Sequence, residues 1–277
     1  MKKILIITPT LSISGGRERV LANFSSNLAK KIDIKFLTLN GNDKTFYSIP
    51  DNIPIESIST YFTEKNKQKK SKFRYIGDIF KIRKSLKYNK DRSIIISTDV
   101  YITIFLYFAT FGLKRTIIAN EHIPFNATYS SSFWTLLRNL IYPRVVDILV
   151  SLTERDRLRF EQLGCHKCIT IPNALTFPNP AKAPMLEKTL LAVGRFAPEK
   201  GFDLLIAACQ PVFHKHSDWV LKIFGEGPDY NDLNTQIIEA KLSNNIILYP
   251  PTKTIDSEYL RASAYVLSSR FEAFSMV

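Results

Sequence analysis

The 277-residue chain is 45% hydrophobic and 23% charged, a balance that excludes general disorder and fits one or two folded domains. Its three cysteines, Cys165, Cys168 and Cys209, cannot build a disulfide framework, and the apolar run at Ile4 is too short for a signal peptide, so a reducing cytosol is expected. The formal charge of +13 is concentrated: from Lys65 to Arg92 twelve basic residues stand against Asp78 and Asp91, a local excess suited to an anionic contact.

Lys3 to Thr8 is an unbroken apolar run, as a strand covered on both faces requires. Gly15 and Gly16 follow in a loop, and then Val20, Leu21, Phe24 and Leu28 recur at helical spacing. The alternation continues through Ile34 to Leu39, a helix from Arg74 to Leu86, Ile94 to Ser97, a helix after Asp99, Thr116 to Ala119, a helix near Trp134 to Ile141, and Ile148 to Ser151. Strands separated by helices predict a mostly parallel sheet with helices on both faces. From Ser93 to Leu113 Asp99 is the only charge, yet the strand and helix patterns inside that stretch argue against a membrane span.

Pro172, Pro178, Pro180 and Pro184 mark a linker, after which a second series begins at Leu190 to Val193. It proceeds through a helix from Gly201 to Phe213, Val220 to Phe224, a helix near Leu233 to Ala240, Ile246 to Tyr249, a helix ending near Ala262, and Tyr265 to Leu267. The expected division is therefore 1–175, a linker 176–187, and 188–277, both folded parts being doubly wound α/β.

At the end of the first strand of the second series stands V-G-R-F-A-P-E-K-G, Val193 to Gly201. Arg195 and Lys200 flank a turn that opens a helix, where cations and free amides suit a leaving diphosphate; an exposed pair on a surface turn is the plainer reading. Glu272, in S-R-F-E-A-F-S-M-V, follows the last strand and can accept hydrogen bonds from sugar hydroxyls, although a solvated glutamate is commoner.

V-G-R-x-x-x-x-K-G, G-E-G-P at Gly225 to Pro228 and S-x-x-E-x-F resemble the retaining nucleotide-sugar glycosyltransferases of glycosyltransferase family 4. G-G-x-E-R-V at Gly15, E-H at Glu121 and His122, and S-x-x-E-R-D at Ser151 extend the resemblance along the chain. It implies a GT-B fold of two facing Rossmann-like domains, an acceptor-side one first and a nucleotide-sugar-binding one second. Gly15 and Gly16 would let backbone approach the donor phosphate or the acceptor, Arg195 and Lys200 would bind the diphosphate, and Gly225 would line the donor site. Glu272 would touch the donor sugar, with Phe274, Ser275 and Met276 following on phosphate and sugar. His122 matches a position near the reacting carbon, against the commoner reading of a structural histidine.

Two departures stand out. The family loop E-G-F-G reads E-A-F-S here, and the second acid of the E-x7-E signature would fall beyond Val277, so the resemblance implies a second domain that is incomplete in a truncated chain. The expected activity is transfer of a hexosyl or N-acetylhexosaminyl group, with retention, from a UDP-sugar (GDP next) to a lipid-linked or glycan acceptor in O-antigen or capsule biosynthesis. The alternative is an impaired form that only binds donor or acceptor. No D-x-D triplet is present, so metal-independent chemistry without a cofactor is expected.

Lys65, Lys67, Lys69, Lys70 and Lys72 precede a helix in which Phe73, Ile76, Ile79, Phe80 and Leu86 gather on one arc opposite Arg74, Lys81 and Lys84. That pattern fits peripheral docking on an anionic membrane face, or a core-facing helix with a solvated basic side. The lysines lack the aromatic motif or zinc module of a nucleic-acid binder, and S-G-G-R-E-R replaces the G-x-G-x-x-G of a dinucleotide dehydrogenase. The isolated Cys165-x-x-Cys168 has no second pair to complete a metal site.

Overall fold

A computed structural model describes residues 2–60, 74–126, 132–174 and 182–275. The chain divides into two compact units, Met1–Ala174 and Leu175–Val277. Each is an α/β unit built on a parallel sheet.

In the first unit the chain runs β1 (Lys3–Thr8), α1 (Gly16–Leu28), β2 (Asp33–Thr38), β3 (Ile55–Ser57), α2 (Arg74–Tyr88), β4 (Ile94–Ser97) and α3 (Val100–Ala109). It continues through β5 (Thr116–Asn120), α4 (Ser132–Val145), β6 (Ile148–Ser151), α5 (Glu154–Gln162) and β7 (Cys168–Thr170). The seven strands lie in the order β3-β2-β1-β4-β5-β6-β7. Right-handed crossovers put α1, which leads leftward from β1, on the face opposite α2 to α5, which lead rightward. The two apolar clusters show this division.

Ile4 and Ile6 of β1 pack with Leu21 of α1, Ile34 and Phe36. Leu5 and Ile7 pack instead with Ile82 and Leu86 of α2, Phe105 of α3, Tyr142 of α4 and Phe160 of α5. Successive side chains of β1 thus meet apolar neighbours on both faces, which is why its sequence shows no alternation.

Helix α2 departs from the expected arc. Ile79 and Leu86 face the core together with Ile82, whereas Ile76 and Phe80 are exposed; Phe73 lies outside the described residues. The core stripe follows Tyr75, Ile79, Ile82 and Leu86, spaced three and four apart. The basic excess is also partly internal. Arg92 is buried and donates to Ile4 O, Asp33 O and Asp33 Oδ1, while Arg83 donates to the carbonyls of Ala109 and Phe111.

The second unit runs β8 (Thr189–Val193), a single 3-10 turn (Pro198–Lys200), α6 (Phe202–Lys215), β9 (Val220–Phe224) and α7 (Tyr230–Glu239). It closes with β10 (Ile246–Tyr249), α8 (Ile255–Arg261) and the two-residue β11 (Ala264–Tyr265). Its sheet order is β10-β9-β8-β11. Helices α6 and α7 pack Ile206, Phe213, Leu233 and Ile237 on one face, and α8 packs Ile255 with Leu191 and Phe224 on the other.

Each unit therefore reverses its strand order beside its first strand, at β1/β4 and at β8/β11. In open α/β sheets the crevice outside the carboxyl ends of such strands is where ligands bind.

Candidate active site

At the β1/β4 switch, β1 leads into the Gly15–Gly16 loop and β4 into Asp99. Glu18, in the first turn of α1, is buried, and its Oε1 accepts from Arg17 Nη2 at 2.7 Å and Nε at 3.0 Å. Arg17 Nη1 also lies 3.5 Å from Asp99 Oδ2, so one guanidinium joins two carboxylates. Asp99 in turn caps α3 by accepting from Tyr101 N at 2.9 Å, and burial pushes its carboxyl above the usual range. A Cβ on Gly15 would stand 2.1 Å from Glu18 Oε2, which gives that glycine a reason internal to the unit.

The E-H pair at the end of β5 enters the same electrostatic neighbourhood. Burial, and secondarily the positive charge of Arg17, holds His122 down to about 3, so the imidazole is neutral at ordinary pH. Its buried Nε2 has no hydrogen-bond partner among the described residues. Glu121 is buried, and desolvation raises its carboxyl to about 7 although Tyr142 Oη donates to Oε1 at 2.5 Å. Sequence reasoning singled out Gly15, Gly16 and His122 here. It missed the roles of Arg17, Asp99 and Tyr142, and quoted Glu18 and Glu121 only as parts of motifs; the Asp99 cap directly after a central strand was the available signal.

At the β8/β11 switch the amides of Gly194 and Phe196 donate to Phe224 O and Glu226 O at 3.0 and 2.9 Å. Phe196 is fully buried, and Arg195 between these anchors is exposed, with no ion pair among the described residues. Gly225 is forced by space: a Cβ would stand 1.9 Å from Gly194 O. Gly225, Glu226, Gly227, Tyr230, Leu248 and Pro250 line an open cavity of about 390 Å³ beside this turn.

Lys200 ends the 3-10 turn, and Gly201 follows with φ 64°, a left-handed conformation that a side chain strains. A Cβ there would also stand 2.3 Å from Ser268 O. The loop after β11 is fastened to this turn by Ser268 Oγ donating to Lys200 O at 2.9 Å and Arg270 N donating to Glu199 O at 2.8 Å. Arg270 also reaches Pro198 O at 2.6 Å and grips both Asp203 oxygens at 2.8 and 2.6 Å, holding that carboxyl below its usual range. In this frame Lys200 Nζ meets Glu272 Oε1 at 2.5 Å, and Ser269 Oγ donates to the same oxygen at 2.7 Å.

The structure thus pairs Lys200 with Glu272 and leaves Arg195 separate. Phe274 and Ser275 lie just beyond Glu272, while Met276 falls outside the described residues, as do Lys65, Lys67, Lys69, Lys70, Lys72 and the Arg74 side chain. Lys81 donates to Ser59 O, and Lys84 is exposed on α2. Burial raises Cys165 to about 12 and Cys168 above its usual range, so both are thiols at ordinary pH.

Two units with these sheets and switch points define the GT-B class, and residues 176–277 match the family model of Glycosyl transferases group 1. An uncharacterized glycosyltransferase of Haemophilus influenzae is 29% identical over 282 residues, taking in 100% of this chain and 77% of that protein. The Campylobacter jejuni N-acetylgalactosamine-N,N'-diacetylbacillosaminyl-diphospho-undecaprenol 4-alpha-N-acetylgalactosaminyltransferase is 27% identical over 300 residues, with the same two coverages. Among solved structures, a mutant of S. aureus TarM in complex with Fondaparinux, alpha-GlcNAc-glycerol and UDP superposes with TM-score 0.76 at 16% identity, covering 100% of this chain and 83% of that one.

Proposed function

We propose that this chain transfers a glycosyl group, with retention, from a UDP-hexose or UDP-N-acetylhexosamine to a lipid-linked or glycan acceptor in cell-surface polysaccharide assembly. The observation that carries the reading is the Lys200–Glu272 pair at the β8/β11 switch, inside the segment that matches the group 1 model. The UDP in the TarM complex and the diphospho-undecaprenol in the name of the Campylobacter relative support the choice of donor and acceptor.

In this reading Arg195 and Lys200 meet the donor diphosphate. The bond from the anomeric carbon to the diphosphate oxygen breaks, its electron pair stays on that oxygen, and the two cations offset the charge that develops. The acceptor hydroxyl attacks the same face of the sugar, and its proton passes to the departing diphosphate. Glu272, released from Lys200 as the diphosphate takes the ammonium, accepts hydrogen bonds from sugar hydroxyls. His122 is read as a neutral group, its Nε2 unpartnered among the described residues, whose contact with a sugar would add no positive charge to a carbon that is becoming cationic. The basic segment from Lys65 to Lys84 serves attachment to the cytoplasmic membrane face.

The test is nucleotide release from a panel of UDP- and GDP-sugars with undecaprenyl diphosphate-linked acceptors, followed by NMR of the product's anomeric configuration. UDP release and a retained configuration are expected. Absence of UDP binding by calorimetry would remove the reading, and an inverted product would remove its stereochemical part.

A further inference from the structure

The first unit's sheet is covered very differently on its two sides. Helix α1 turns Asn23, Ser26 and Asn27 to solvent, as a water-facing helix should. The neighbouring helices α2, α3 and α4 expose instead Ile76, Phe80, Phe108, Phe111 (just beyond the end of α3), Leu136 and Leu140, with Phe111 82% and Phe80 66% accessible. Helix α3 packs against both α2 and α4, so these side chains belong to one continuous helical layer.

Charge on that layer has a single sign. The three helices contain one carboxylate, Asp78, and it is buried. Lys81, Lys84, Lys87 and Arg144 are exposed on α2 and α4, and Lys114 is exposed just after Phe111. Helix α5, on the same side of the sheet, differs again: Arg157 bridges Glu154 and Glu161, which leaves a mixed, self-satisfied surface.

We propose that the outer face of α2, α3 and α4 is a docking surface for an anionic lipid bilayer. Apolar side chains interleaved with unopposed lysines match an interface whose headgroups are negative and whose interior takes hydrocarbon. A nucleic acid would satisfy the lysines but leave Leu136, Leu140 and Ile76 against water. Ten-residue α3 is about 15 Å long, half the roughly 30 Å of a hydrocarbon core, so the layer lies on the bilayer. Among the described residues no helix is long and apolar enough to cross a membrane. The inference rests on the membrane attachment in the proposed function and extends it to a surface of three helices; it is read by vesicle binding and not by donor turnover, so its failure and that of the donor chemistry are distinguishable.

The experiment is co-sedimentation of the whole chain with phosphatidylcholine vesicles, with and without about a third phosphatidylglycerol, at low and high salt. Binding to the anionic vesicles alone, weakened by salt, is expected. Replacing Lys84, Lys87 and Lys114 with Gln lowers affinity about a hundredfold, near fivefold for each charge. Phe80→Ser with Phe111→Ser weakens binding at low salt while the thermal melt stays unchanged, because both side chains are already exposed. Four results would each overturn the proposal: no binding to anionic vesicles at low salt, equal binding to both vesicles, variants that bind like the parent, or a dimer in solution that Phe111→Ser dissociates.

Discussion

At the β1/β4 switch Arg17 holds two carboxylates, those of buried Glu18 and of Asp99, whereas at the β8/β11 switch Lys200 pairs with the single, partly covered carboxylate of Glu272 and Arg195 stands in solvent. The Glu18 side chain is 2% exposed and that of Arg17 19%; those of Lys200 and Glu272 are 20% and 25% exposed. The same place in two related topologies thus holds charge in two ways. A triad with a buried carboxylate is the more fixed of the two and shapes the loop above it, because losing Arg17 would strand both carboxylates. A partly exposed pair of one cation and one carboxylate costs less to open and can exchange its partner for a ligand.

The comparison predicts its largest effect at Lys200. Lys200→Ala should lower kcat/KM for nucleotide-sugar turnover about a thousandfold, near 4 kcal/mol of transition-state stabilisation, with the melting temperature almost unchanged. Initial rates of nucleotide release and a thermal melt on one preparation check this. Retained activity would mean that Lys200 serves only to hold Glu272.

Glu18 should show the reverse pattern. Glu18→Ala takes from Arg17 its two close hydrogen bonds, leaving it only the 3.5 Å contact with Asp99, and should cost about 3 kcal/mol in denaturant unfolding. It also empties the space that Glu18 Oε2 holds beside Gly15. Gly15→Ala should therefore be destabilising in the parent and nearly neutral in the Glu18→Ala background, a non-additivity that a double-mutant cycle measures. Additive costs would show that Glu18 does not set the loop.

The buried switch also predicts a pH dependence. The Glu121 carboxyl titrates at about 7 in the folded protein and at its ordinary value of 4.5 unfolded, so the folded state favours the protonated form. Stability from this group is complete below pH 4.5 and is lost as pH rises towards 7, by about 3 kcal/mol in all. Glu121→Gln keeps an acceptor for Tyr142 and should remove that loss. The stability of the variant relative to the parent then rises across this window, read by denaturant titration at each pH. His122 has the opposite sign and loses stability towards acid, so the difference between the two proteins isolates Glu121.

Much of this was legible in the sequence. β1, β4 and β8 announce themselves as apolar runs, and V-G-R-x-x-x-x-K-G placed Lys200 at a strand-to-helix turn. The short elements were not: β3 offers one apolar residue, and α5 two, of which Leu158 is exposed. Helix α5 is held by its Thr153 cap, by Arg157 between two glutamates and by Phe160 alone in the core, so its hydrophobic period is nearly silent. The arc of α2 was drawn too wide, because Ile76 and Phe80 were grouped with Ile79 and Leu86 on one face by residue type, when the core stripe runs through Tyr75 and Ile82 and leaves Ile76 and Phe80 exposed. The Glu18–Arg17–Asp99 triad stayed hidden because Arg17 and Asp99 are 82 positions apart and meet only when β1 and β4 pair.

The smallest predicted effect separates the two switches most finely. Glu272 occupies the Lys200 ammonium, so on the proposed reading, in which the donor diphosphate takes that ammonium, nucleotide binding would first break a 2.5 Å contact. Glu272→Gln keeps the shape and the hydrogen bond from Ser269 but lowers the competition for Lys200. UDP alone, which brings phosphate and no sugar, should then bind more tightly by about 1 kcal/mol, near fivefold, the usual worth of a partly exposed pair. Turnover of the intact donor should fall in the same variant, because the carboxylate is lost as an acceptor for sugar hydroxyls. Calorimetry with UDP beside initial rates with the donor reads both. A variant that binds UDP no better than the parent would place Lys200 and Glu272 with the fixed groups of the first switch, and the contrast between the units would fail at its most exposed point.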